Sequence, residues 1–113
     1  MAIPSGSGTE VLKRVTAHNN NGIVEILSGT ANHIYTILSI IFVNNTTVET
    51  ESVQISVNDG SNDIVIVGYT VVPKYGTFVF NDKFVMEGDD DLDLYNGHTN
   101  GDWYVSYIDQ DWT

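Results

Sequence analysis

Residues 34–45 read IYTILSIIFVNN, the longest apolar run of the chain, set between a Gly/Asn-rich break at residues 29–32 and a polar Asn-Asn-Thr-Thr turn. The run is rich in β-branched and aromatic residues and holds no glycine or proline, so it reads as a strand. Side chains in a strand alternate between faces, which places Tyr35, Ile37, Ile41 and Val43 on one side and Ile34, Leu38, Ile40 and Phe42 on the other. Both faces are apolar. Such a strand is either central and covered twice, or it shares its second face with another subunit.

Strand signals continue on both sides of it. Upstream, Val11, Val15 and Ala17 alternate with Leu12, Arg14 and Thr16, and Asn-Asn-Asn-Gly at residues 19–22 suits a tight hairpin turn that would return residues 23–27 as the partner strand. Downstream, Val53, Ile55 and Val57 alternate with Ser52, Gln54 and Ser56, a strand with one wet face. A turn over residues 58–62 leads to a second long apolar strand, residues 64–72, which Pro73 ends. Short strands follow at residues 77–81, 84–86 and 92–95, the first pointing Phe78 and Phe80 inward. A last strand at residues 103–108 sets Trp103, Val105 and Tyr107 opposite Tyr104, Ser106 and Ile108. About eight strands at even spacing, with no helical periodicity, predict a single all-β domain: an antiparallel β-sandwich of jelly-roll type over residues 10–113. Residues 1–9, MAIPSGSGT, have too little to bury for structure of their own and read as an extended N-terminal arm.

Composition narrows the function. At 113 residues the chain is one domain by size, and with no cysteine it has neither a disulfide framework nor a thiolate metal site. Fifteen acidic residues stand against four Lys and Arg, a net charge of −11 that repels phosphate backbones and sets the chain against nucleic-acid binding. No run approaches the roughly 18 apolar residues of a membrane helix, so no membrane partner is expected.

Sites of chemistry are sparse. The turn Glu87-Gly-Asp-Asp-Asp-Leu-Asp93 carries an Asp-x-Asp-x-Asp spacing, which makes Asp89, Asp91 and Asp93 a calcium candidate, but the glycine and glutamate that complete an EF-hand loop are missing. The same residues also read as a solvated turn. His18, His33 and His98 show no metal-ligand spacing and read as surface residues. No cysteine nucleophile and no Gly-x-Ser-x-Gly elbow is present, so no catalytic residue, enzyme activity or cofactor is expected.

Residues 29–109 resemble a recurrent type of small bacteriophage virion protein. The resemblance rests on Tyr-Thr-Ile-Leu-Ser-Ile with Asn44 and Thr46, Asn-Asp-Gly at residues 58–60, and Val72-Pro73 followed by Gly76-Thr77. It continues in Gly88-Asp89 with Leu92 and Leu94, and ends in Val-Ser-Tyr-Ile at residues 105–108. It implies a jelly-roll-like sandwich that assembles on a tailed-phage particle, most often as a capsid decoration or cement protein, sometimes as a neck or tail component. From this and the doubly apolar strand, the expected function is a virion structural protein on the capsid exterior, made in the host cytoplasm. It would form a homo-oligomer, a trimer or similar cluster, that clamps the major capsid protein. The expected interface residues are Ile3 and Pro4 of the arm, Ile34, Leu38, Ile40 and Phe42 on one face of the long strand, and Trp112 near the end. The competing class is a small carbohydrate- or receptor-binding module, with Trp103, Tyr104, Tyr107 or Trp112 as a stacking platform.

Overall fold

The computed structural model describes residues 9–19, 21–47, 51–97 and 100–112, the side chain of Glu51 excepted. Nine strands are present among them: β1 (Thr9–Asn19), β2 (Gly22–Ser28), β3 (His33–Asn44), β4 (Glu51–Asn58), β5 (Asp63–Val72), β6 (Thr77–Phe80), β7 (Phe84–Met86), β8 (Asp91–Asn96) and β9 (Gly101–Asp111). They form two antiparallel sheets, one ordered β1-β9-β3-β6 with β7 also on β3, the other β2-β8-β4-β5. β6 pairs with Ile40–Val43 and β7 with Tyr35–Ile37, so the two are halves of one interrupted strand along the same edge of β3. Counted that way, the described strands number eight and cross between the sheets at each connection except β4 to β5, which is jelly-roll order, as the sequence predicts.

One local expectation is corrected. β1 and β2 are not a hairpin: β1 pairs with β9 and β2 with β8, in opposite sheets. Asn21 and Gly22 do take the left-handed conformations the sequence suggests, at φ 48° and 128°, but they turn the chain from one layer to the other. Asn19 fixes this crossing, its side-chain amide donating to Gly22 O at 2.8 Å and to Asn96 Oδ1 of the opposite sheet at 2.7 Å.

The second correction concerns β3. Its pairing with β9 slips between Ile37 and Ser39, where Leu38 is an extra residue, and this β-bulge reverses which parity faces inward. Tyr35 and Ile37 are buried before it; Ile40, Phe42 and Asn44 are buried after it. Two of the expected interface residues, Ile40 and Phe42, are therefore core side chains with 0% exposure. Phe42 stacks at a tilt on Trp103, ring centroids 4.5 Å apart, and faces Val53, Ile55, Leu92 and Leu94 in the shared core of both sheets.

A buried polar knot closes one end of the sandwich. Asn96 of β8 receives Asn19 and Trp103 Nε1 on its Oδ1 and donates to Asn19 O, while Asn44 donates to Val72 O and Pro73 O. Gly101 makes room for it, because a Cβ there would lie 2.5 Å from the Phe42 ring and 2.7 Å from Asn96 Nδ2. Hydrogen-bonded amides between the sheets are what a buried polar group requires, and these join both layers.

Candidate assembly surface

The outer face of the five-stranded sheet follows from the register. Val15, Val105 and Ile40 lie across from one another on the inner side, so their neighbours in sequence point outward. Those neighbours form rungs across the sheet. The middle rung is Arg14–Ser106–Ser39; on one side of it lies Thr16–Tyr104–Ile41–Val79, on the other Leu12–Ile108–Thr36–Val85. The outermost rungs are His18–Asp102–Val43 and Glu10–Gln110–Ile34.

Two largely apolar rungs flank the polar middle one, and charged or polar residues stand at both ends beside Val43 and Ile34. Leu12 is 71% exposed, and Val79, Val85 and Tyr104 are exposed beside it. Ile41, Val43 and Tyr104 line a hollow of about 350 Å³, with His18 and Asp102 hydrogen-bonded at its rim (2.6 Å). Arg14 stands 5.9 Å over the Tyr104 ring, a cation–π contact. Ile34 and Leu38, expected at an interface, are half-buried. Leu12, Val79 and Val85 carry no sequence expectation, and Tyr104 carries one only as a stacking residue, although the alternation of Tyr104, Ser106 and Ile108 against Trp103 sets that rank on the face opposite the Trp103 side.

The other outer face is divided: Ile23, Tyr69 and Val71 are exposed at one end, and the other end is acidic. Asp91 and Asp93 alternate with the buried Leu92 and Leu94 on β8, Glu25 of β2 lies across from Asp93, and Asp63 of β5 pairs with Asn58 beside them. Burial, then the charges of Glu25, Asp63 and Asp91, raise the Asp93 carboxyl above its ordinary range. The proposed calcium ligands do not converge: Asp89 sits exposed in the turn, and among the described residues no three His, Asp or Glu side chains gather into a metal-holding group.

Charges on the five-stranded sheet are instead paired. Asp109, 5% exposed, accepts Lys13 Nζ at 2.8 Å on one oxygen and meets His33 Nδ1 at 2.7 Å on the other, and His33 Nε2 lies 3.4 Å from Asp111. Burial opposes the charged form of Asp109, but the hydrogen bonds from Lys13 and His33 outweigh it and hold the carboxyl below its usual range. The clasp ties β1 and β3 to β9. His33 is thus a half-buried strand residue rather than a surface one, His18 is an exposed one, and His98 lies outside the described residues.

The aromatic platform is not assembled. Trp103 and Tyr107 are in the core, at 2% and 8% exposure, whereas Tyr69 is 71% exposed at the edge strand β5. Trp112 is half-buried, its backbone N–H bonded to Asn32 O, and its indole N–H is buried without a hydrogen-bond partner among the described residues. Ile3 and Pro4 lie outside the described residues.

No protein-family model matches the sequence, and no curated protein matches it. The fold is similar to a chain in the acidic stable capsid structure of Helicobacter pylori bacteriophage KHP30, with a TM-score of 0.58 at 8% identity over 93% of this chain and 90% of that one. It is equally similar, at TM-score 0.58 and 15% identity over 100% and 97% of the two chains, to Bacillus endospore appendages, which form disulfide-linked pili. The Drosophila NLP core, a structure bearing on pentamer formation and histone binding, matches at TM-score 0.50 and 15% identity over 91% and 98%. At these identities the likeness is one of fold.

Proposed function

We propose that this chain is a structural subunit of a tailed-bacteriophage virion, a non-catalytic capsid-decoration protein that binds the outside of the major capsid protein shell as a homo-oligomer. The observation that carries the reading is the whole-chain fold likeness to a protein of a phage capsid. The uncovered apolar sheet face supports assembly, because a row of exposed Leu12, Tyr104, Val79 and Val85 is surface that association removes from water. The pili and the pentamer-forming core among the similar folds support the same reading, since each is a self-assembling use of this sandwich.

The test is binding of the purified chain to shells of the phage that encodes it. Saturable binding at many copies per shell, with a raised melting temperature of the shell, is expected; no binding overturns the decoration role, and a few copies per particle would assign the chain to the neck or tail. Deleting residues 1–8 should weaken shell binding while leaving the chain's own melting temperature unchanged.

A further inference from the structure

We infer that the outer face of the five-stranded sheet is a two-fold contact surface for a second copy of this chain. The inference deepens the assembly reading and rests on it, but it assigns a particular face, symmetry and partner.

The rungs of that face form a near-palindrome about Arg14–Ser106–Ser39. A largely apolar rung lies on each side of this polar one, and beyond each lies one with an ionisable residue on β1, His18 or Glu10. A two-fold axis running along the middle rung brings a second sheet face to face with its strands reversed, the aligned packing of two sheets. Every rung then meets its opposite number. Ile108 faces the second copy's Tyr104, Thr36 faces Ile41, and Val85 faces Val79. At the ends Glu10 faces His18, a carboxylate against an imidazole, and Gln110 faces Asp102, an amide against a carboxylate. Leu12 faces Thr16, and on the axis Ser106 and Ser39 face their own counterparts, while Arg14 meets the second copy's Arg14 at the solvent-exposed edge, where salt screens the pair.

Charge selects the same partner. With a net charge of −11, two copies repel wherever their carboxylates cluster, as around Asp93. The middle three rungs of this face hold no carboxylate, and their one charge is Arg14, which stands at the edge strand. It offers two such acidic chains a face on which to approach. Four strands about 4.8 Å apart and five rungs about 7 Å apart span roughly 500 Å² per copy, about 1,000 Å² in total, which is the lower end for a specific contact. The contact is therefore dilutable, and added salt strengthens it by screening the repulsion between the two chains.

The absence of cysteine makes the test clean. A Ser106→Cys chain, its thiol on the axis, is treated with a short bismaleimide beside a Gln54→Cys chain, whose thiol lies on the other sheet. Covalent dimer from the first and none from the second is expected. So is a mass by sedimentation that falls from dimer to monomer on dilution, and that Ile108→Glu reduces to monomer with no loss of melting temperature. Equal cross-linking of both variants, or a mass that stays monomeric at every concentration and salt level, overturns the inference. A trimer without the Ser106 cross-link overturns it while leaving the capsid reading intact; a dimer that binds no shell supports it while the capsid reading falls.

Discussion

Along β9, Tyr104, Ser106 and Ile108 leave the outer face of the five-stranded sheet without a carboxylate at its centre, whereas along β8 Asp91 and Asp93 place two toward one end of the other sheet. The inner faces of these strands are equivalent: Trp103, Val105, Leu92 and Leu94 share one core. The difference lies entirely in the alternate residues. It also appears in how each sheet treats a carboxylate. Asp109 is held by Lys13 and His33, while Asp93 is crowded by Glu25, Asp63 and Asp91. One sheet ties a buried carboxylate into internal bonds and keeps carboxylates off the middle rungs of its outer face; the other crowds carboxylates together at one end of its outer face, where they repel one another.

The two sides of β3 give the largest contrast. Phe42→Ala should lower stability by about 3–5 kcal/mol through lost packing on Trp103. Its neighbour Ile41→Ala, on the outer face, should cost about 1 kcal/mol. Denaturant midpoints decide this, and similar losses would mean that the outer face is also covered within one chain. Next comes the polar knot. Asn96→Ala strips partners from Trp103 Nε1 and Asn19 and should cost about 1–3 kcal/mol, with both sheets melting together.

The pH predictions are smaller and opposite in sign. Asp109 has a depressed carboxyl, so its contribution is present at neutral pH and is lost as pH falls through the folded-state value; Asp109→Asn should lower the melting temperature at pH 7 and make no difference in strong acid. Asp93 has a raised one, so its ionised form is a burden at neutral pH that protonation relieves. Asp93→Asn should therefore raise the melting temperature slightly at pH 7, the gain vanishing below the ordinary carboxylate range. Should both substitutions act in the same direction, the contrast between paired and crowded carboxylates would be wrong.

Much of this was legible in the sequence because a strand with one wet face advertises itself. Val53, Ile55 and Val57 against Ser52, Gln54 and Ser56 fixed β4 and its inward side without ambiguity. Phe84–Met86 was readable as β7 to the residue. The failures share a cause in what period two does not encode. Leu38 is one residue that shifts parity, and nothing in an apolar run marks where the phase changes, so Ile40 and Phe42 were assigned outward. An Asn-rich turn specifies backbone conformation but not which sheet the chain enters next, so β1 and β2 read as a hairpin. The candidate surface was half visible: a doubly apolar strand implied a second partner, but its location depends on rungs contributed by β1, β6, β7 and β9, which only the register brings together.

The break between β6 and β7 has a practical side. Asn81, Asp82 and Lys83 are exposed and interrupt a strand whose two halves are each hydrogen-bonded to β3 on their own. An added peptide there lengthens a gap that the ladder already spans, and breaks no inter-strand bond. This sandwich thus carries its own cloning site: a position for a tag, epitope or fluorophore beside the outer face of the five-stranded sheet, where a label would report whether that face is open or covered.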